Sequence, residues 1–196
     1  YQVKALSAGA LRELELDAIV EGGRRHDRLI LANGSTIVVN PGDGIDRIEM
    51  PSGVTDATVE IASFGLADVV IRPLARGSQD LAIHMPATGD QIILVGALGG
   101  GAVPAILFAD GQLLDAAALV QRAVDGQSSS GDDLIFGSRR SETITGGLGH
   151  DYANGSGGSD QYVFARGDGQ DVIEDADGSD DVLVIRGYAR ADLQVS

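Results

Sequence analysis

Apolar positions recur at a nine-residue interval between residues 128 and 183, with a two-residue slip before residue 166. The interval divides this stretch into six blocks, in which the sixth residue is acidic and the eighth is Ile, Val, Tyr or Ala. The fourth residue is Gly in five blocks and Arg140 in the other. Three residues with the apolar one in the middle form a minimal strand, in which the apolar side chain faces inward. The pattern therefore predicts very short strands separated by tight glycine turns.

Two consecutive blocks make one turn of a flattened coil. This predicts an all-β fold, a parallel β-roll (β-solenoid) of nonapeptide repeats, with a linking β-rich segment and one short helix. Blocks two apart then stack on the same edge. One edge is expected to carry Asp133, Asp151 and Asp171, and the other Glu142, Asp160 and Asp180.

The glycines and acids of the turns predict calcium binding. Glycines allow tight curls that direct carbonyl oxygens inward, and calcium accepts carbonyl and carboxylate oxygens alike. Ordinary Asp-Gly turns do not require an acid every nine residues in phase with an apolar residue. An EF-hand is rejected, because DADGSDD (175–181) has its Gly fourth rather than sixth. Stacking predicts roughly four ions between successive loops, with a weak loop at Glu142, whose side chain is one methylene too long.

The stretch 128–183 resembles the RTX (repeats-in-toxin) family of calcium-binding β-roll proteins, and the ending YVFARGDGQDVIEDADGSDDVLVI is similar to the exit segment of that family. The resemblance implies that the sixth-position aspartates and the loop carbonyls bind calcium, with Asp168 as an added ligand. The implied metal-binding residues are Gly131, Asp133, Gly147, Gly149, Asp151, Gly158, Asp160, Asp168, Gly169, Asp171, Gly178 and Asp180. It also implies export through a type I secretion channel, and hence a module of a larger secreted toxin or adhesin that folds on meeting calcium outside the cell.

A second, longer period relates the two ends of the chain. GDGIDRIE (42–49) and GDGQDVIE (167–174) share six of eight residues at an offset of 125, and the match continues to residue 195 with one deletion. The first copy of the roll is degenerate, with one ion expected near Asp46. Within residues 1–20, either a short helix forms at 8–15 or another turn of the roll starts at Asp17 and Ile19. The expected segments are a degenerate roll (1–56), a linking segment (57–125), a calcium-binding roll (126–183) and the start of a second linking segment (184–196).

The linking segment has its own pattern. Alternation and β-branching predict strands within 68–75, 79–85, 90–96 and 102–110, and LLDAAALVQRAVDG (113–126) predicts a helix that ends near Gly126. The glycine-rich stretch 96–103 lacks the Lys and Ser/Thr of a phosphate loop and is interpreted as a turn.

Charge and amino-acid composition reduce the number of possible functions. The net charge of −15 argues against nucleic acid and favours cations. The absence of cysteine is expected either of a cytosolic chain or of one exported by a route that does not depend on disulfides. No apolar run is long enough for a membrane span. The three histidines are far apart, and neither a cysteine nucleophile nor a G-x-S-x-G motif is present, so no enzyme is expected. The alternative function is an adhesin, carbohydrate-binding or receptor-binding array, in which residues 57–125 recognise a host-cell or glycan surface.

Overall fold

The predicted all-β fold is confirmed, because short strands make up most of the regular structure and most of them pair in parallel as a β-solenoid. The structure is a computed structural model that describes residues 19–21, 23–175 and 177–194. Contacts divide the chain into two compact units, Tyr1–Leu119 (unit 1) and Val120–Ser196 (unit 2). The predicted choice between a helix at 8–15 and a turn starting at Asp17 lies outside the described residues.

The described part of unit 1 is built mainly of short strands. They are β1 (Ile19–Glu21), β2 (Arg28–Ile30), β3 (Ser35–Val39), β4 (Ile45–Glu49), β5 (Ala57–Ile61), β6 (Val70–Pro73), β7 (Leu81–Met85), β8 (Asp90–Leu94), β9 (Ala105–Phe108) and β10 (Leu113–Leu114). Strands β1, β3, β5 and β9 form one parallel sheet, with β10 antiparallel to β9. Strands β2, β4 and β8 form another, extended by antiparallel β7 and β6. Strands β6 to β9 confirm the four strands predicted in the linking segment.

The predicted helix is also confirmed as α1 (Ala116–Asp125), but its first two predicted residues, Leu113 and Leu114, form strand β10 instead. It begins where the Asp115 carboxylate accepts the Ala118 N–H at 2.8 Å, which satisfies one of the free donors of the first turn. It ends at Asp125, directly before Gly126, where the sequence predicts the helix to end. In the described part of the chain, no helix combines the length and apolarity needed to cross a membrane.

The strands of unit 2 stack in two parallel sheets, one along each edge of the roll. They are β11 (Leu134–Phe136), β12 (Thr143–Thr145), β13 (Tyr152–Asn154), β14 (Gln161–Ala165), β15 (Val172–Ile173) and β16 (Val182–Arg186). Strands β11, β13 and β15 form one parallel sheet, and β12, β14 and β16 form the other. The eighth-position residues of four blocks point inward and pack with Val124 of α1, so the core consists of Val124, Ile135, Ile144, Ala153 and Tyr162.

The spacing between stacked residues increases along unit 2. Leu134 pairs with Tyr152, two blocks further along the chain, and the step from Tyr152 to its partner Val172 is longer by the two-residue slip that the sequence predicts. On the other edge Gln161 pairs with Val182, and this step is longer again by one position. The predicted register of the last block is therefore wrong by one residue.

The long sequence period is also present in the hydrogen bonds. The Asn40 N–H donates to Asp43 Oδ2 at 2.8 Å, and at the same offset of 125 the Ala165 N–H donates to Asp168 Oδ2 at 2.7 Å. Two short 3-10 turns also occupy equivalent positions, Leu66–Asp68 and Arg190–Asp192. The two units thus repeat the same local structure, and the residues that align in sequence are also equivalent in structure.

Candidate metal centre

Acids of unit 2 lie in two ladders, and all of them except Asp181 are at the sixth block position. The first ladder consists of Asp133, Asp151 and Asp171, and the second of Glu142, Asp160 and Asp181. In both, a backbone N–H of one turn donates to Oδ1 of the acid in the next turn, at 2.8, 2.9, 2.9 and 3.1 Å. One oxygen of each later acid is therefore used by the preceding turn, and the surroundings of the other oxygen decide what the ladder can bind.

In the first turn a serine closes each loop. Ser129 donates its N–H to Asp133 Oδ2 at 2.6 Å, and its hydroxyl also contacts that carboxylate. Ser138 donates its N–H to Glu142 Oε2 at 2.9 Å and its hydroxyl to Oε1 at 2.5 Å. The longer Glu142 side chain is buried in its own loop by these bonds. This closure is a physical reason for the predicted weakness of the Glu142 loop.

In the second turn this closure does not occur. The residues at the serine position are Gly147, which has no side chain, and Ser156, which has a positive φ of 73°. Within the described residues, Asp151 Oδ2 and Asp160 Oδ2 are buried and have no hydrogen-bond partner. A buried charged oxygen without a partner is destabilising by more than about 1–3 kcal/mol. These two oxygens are consequently positions of the ladders where a cation would stabilise the fold.

Asp160 belongs to an acidic cluster with Asp175 and Asp181, in which one carboxylate oxygen from each residue lies within 4.8 Å of the others. Asp175 Oδ1 is another buried oxygen without a partner in the described chain, whereas Oδ2 accepts the Tyr162 hydroxyl at 2.5 Å. The Tyr162 oxygen in turn accepts the Gly155 N–H at 2.7 Å. The core tyrosine thus holds Asp175 beside the second ladder.

The electrostatics of the ladders oppose ionisation. Burial raises the pKa of Asp160 to about 6, and the charges of Glu142, Asp175 and Asp181 add to the shift. Burial also raises the pKa of Asp151, again assisted by neighbouring carboxylates of its own ladder. A divalent cation would reverse both causes, because it replaces the lost hydration and neutralises the repulsion.

The loop glycines allow the turns to stack closely. Gly149 and Gly158 have φ of 137° and 114°, in the region that favours glycine. A Cβ on Gly149 would lie 2.6 Å from the Gly131 carbonyl oxygen, and one on Gly178 would lie 2.9 Å from the Gly158 carbonyl oxygen. A Cβ on Gly147 or Gly169 would likewise collide with a carbonyl oxygen of the preceding turn. The carbonyls implied as calcium ligands therefore face the neighbouring loops.

The remaining predicted ligands have different surroundings. Asp168 Oδ2 caps its own turn through the Ala165 N–H, rather than joining either ladder. Asp46 is the unit 1 equivalent of Asp171; its Oδ1 accepts the Asp27 N–H at 3.0 Å, and burial raises its pKa to about 7. Asp180 was predicted to lie in the second ladder, but it is exposed. Asp181 occupies that ladder position instead, because the last turn contains one extra residue.

Sequence reasoning missed four residues that shape this centre. Two are the acids Asp175 and Asp181, and two are the serines Ser129 and Ser138, which close loops of the first turn. The serines had a signal in the sequence, since both are the second residue of a block. Asp175 had none, because its block position is not acidic elsewhere in the repeat.

The fold and the site together define a class, a parallel β-solenoid with ladders of carboxylates along its edges. No family model matches the chain, and no curated protein or solved structure gives a significant match to it.

Proposed function

We propose that this chain is a calcium-binding module of the RTX type, which folds on binding calcium after secretion as part of a larger toxin or adhesin. The observation that carries the proposal is the pair of buried oxygens, Asp151 Oδ2 and Asp160 Oδ2, that no donor of the described chain reaches. Both lie in the block position that the nine-residue pattern assigns to a calcium ligand.

The donor set favours calcium over other cations. The acidic cluster and the neighbouring loops offer carboxylate and carbonyl oxygens, which are the ligands of calcium and magnesium. The chain has no cysteine, and zinc prefers sulfur and nitrogen donors. Magnesium requires near-octahedral geometry and retains its water, whereas calcium accepts the irregular set of oxygens that two stacked loops provide.

Calcium binding would be coupled to folding. Two unit charges 4.8 Å apart repel by on the order of 3 kcal/mol at an effective dielectric constant near 20. The acidic cluster contains three such pairs, and residues 131–181 carry ten Asp and two Glu against three Arg. A ligand that binds only the folded chain increases stability by mass action, and extracellular calcium modules typically bind at about 10⁻⁴–10⁻³ M. The roll would thus fold outside the cell and stay largely unfolded inside it.

The same proposal predicts export of the unfolded chain and a structural and binding role rather than a catalytic one. An unfolded, cysteine-free chain suits a type I secretion channel, which the RTX resemblance implies. The carboxylates recur as ladders rather than as one pair in a cleft, which favours a structural and binding role over an enzymatic one.

Titration of the full chain with calcium, followed by circular dichroism and by calorimetry, tests the proposal. Calcium is expected to increase β-structure sharply and magnesium to have little effect. Asp151→Asn removes a buried charge without a partner, whereas Asp133→Asn changes the same ladder where Ser129 already satisfies the carboxylate. The first substitution is expected to raise the calcium midpoint at least tenfold and the second much less. Equal responses to the two ions would refute the proposal.

A further inference from the structure

The last strands of unit 2 leave apolar side chains uncovered. β15 and β16 are the terminal strands of their sheets, and each pairs on one side only in the described chain. Ile173 is 40% exposed, Leu183 53% and Ile185 38%. These side chains and the open backbone edges of β15 and β16 together form a surface that we call the open edge.

The same positions in unit 1 are completely covered. Ile48, Val59 and Ile61 correspond to the three exposed residues at offsets of 125, 124 and 124, and they are 1%, 0% and 0% exposed. Two later strands cover them. β8 pairs in parallel with β4, and β9 pairs in parallel with β5. Both covering strands belong to the linking segment.

Side-chain hydrogen bonds show that the two regions are equivalent beyond their sequence match. The Gly65 N–H donates to Asp68 Oδ2 at 2.9 Å, and at the offset of 124 the Ala189 N–H donates to Asp192 Oδ2 at 2.9 Å. In unit 1 the chain then continues into β6, and at the same offset Ser196 corresponds to Arg72. The open edge is thus the same local structure as its covered counterpart, without its covering strands.

We propose that the open edge binds a linking segment of the same kind as residues 73–125, with one strand added to β15 and one to β16. The occupant is defined by the contacts of its counterpart. In unit 1 the Asp90 carboxylate accepts the Gly42 and Gly44 N–H groups at 2.8 and 2.9 Å. Gly167 and Gly169 are the equivalent donors in unit 2, so an aspartate is expected at the start of the strand that joins β15.

One contact differs between the two units and provides a test of register. Arg47 forms an ion pair with Asp80 of the linking segment at 2.8 Å. The equivalent of Arg47 in unit 2 is Val172, which is exposed. Val172→Arg would therefore supply the missing partner if the occupant takes the same register.

The experiment extends the chain by repeating residues 73–125 directly after Ser196, and compares it with an extension of the same composition in shuffled order. The Val182 N–H donates to the Asp160 carbonyl oxygen at 2.8 Å. Because N–H groups alternate in direction along a strand, those of Leu183 and Ile185 point to the open side. Amide exchange measured by NMR in saturating calcium is expected to slow at least tenfold at Leu183 and Ile185 in the repeat extension only, while Val184, bonded towards β14, stays protected in both chains.

Equal exchange at Leu183 and Ile185 in the two extensions would overturn the proposal, and protection of Val184 shows that unit 2 is folded when this comparison is made. Concentration-dependent protection of the same amides in the original chain, accompanied by a dimer in sedimentation, would also overturn it, because a second copy would then be the occupant. Val172→Arg is expected to raise the melting temperature of the repeat extension and not of the shuffled one. An unchanged melting temperature would contradict the proposed register.

Discussion

Replacing Asp160 by Asn is expected to change stability in opposite directions with and without calcium. The amide keeps an oxygen to accept the Glu142 N–H but removes the buried charge. The pKa of Asp160 is about 6, against 3.8 for an ordinary aspartate. Two pKa units correspond to at most about 3 kcal/mol, of which solvent screening leaves on the order of 1–2 kcal/mol. The calcium-free variant is therefore expected to be more stable than the original chain above pH 6, and its calcium midpoint at least tenfold higher.

Circular dichroism in EDTA, which reports the folded fraction, and calcium titration, both carried out between pH 4 and 8, measure the two effects. Because the folded-state pKa of Asp160 is raised, its contribution to stability is present at low pH and is lost as the pH rises from about 4 to about 6, and the Asn variant should lack this slope. In calcium, affinity should fall as the pH drops below about 6, since protons compete for the carboxylate. Glu142→Gln is the matched control, because Ser138 already satisfies that side chain. Equal calcium midpoints for the two variants would show that the partnerless oxygen is not a ligand.

Three further predictions concern other parts of the chain. Asp151→Ala is expected to weaken the calcium response more than Asp27→Ala, and similar losses in a calcium titration would show that the first copy is not eroded. Asp46 has its pKa raised to about 7, so stability measured in EDTA should fall between about pH 4 and 7, and Asp46→Asn should remove this slope. Gly155→Ala places a Cβ against the acidic cluster and should lower the free energy of unfolding in urea by about 1–3 kcal/mol. Gly157→Ala is the control and should be nearly neutral, because the nearest atom to a Cβ at that position is 3.7 Å away. Equal losses of stability in the two variants would contradict this geometry.

The solenoid could be predicted because its rules are local. A strand needs alternation over three residues, a stacked turn needs glycine, and both recur at a fixed interval from Asp133 onward. The linking strands and α1 were predictable for the same reason, since each has its own period and end signals. The long period was readable from one nearly identical stretch, and the hydrogen bonds of Asp43 and Asp168 show its structural basis.

The site was only partly predictable, because it depends on which residues meet across a turn. The last turn is one position longer on the second edge than on the first, and this difference places Asp181 in the ladder instead of Asp180. Asp175 joins the cluster through the Tyr162 hydroxyl, a contact that no repeat position signals. Sequence similarity between blocks also concealed a chemical difference, since a serine closes the loops of the first turn and not those of the second.

By itself, the sequence determined the strand period, the turns and the edges along which acids align, because each depends on neighbours within a single block. Only the tertiary structure decided which carboxylate oxygens remain without partners and which apolar strands remain uncovered. Burial and hydrogen bonding depend on groups brought together by stacking, and a one-residue change in spacing replaces one partner by another.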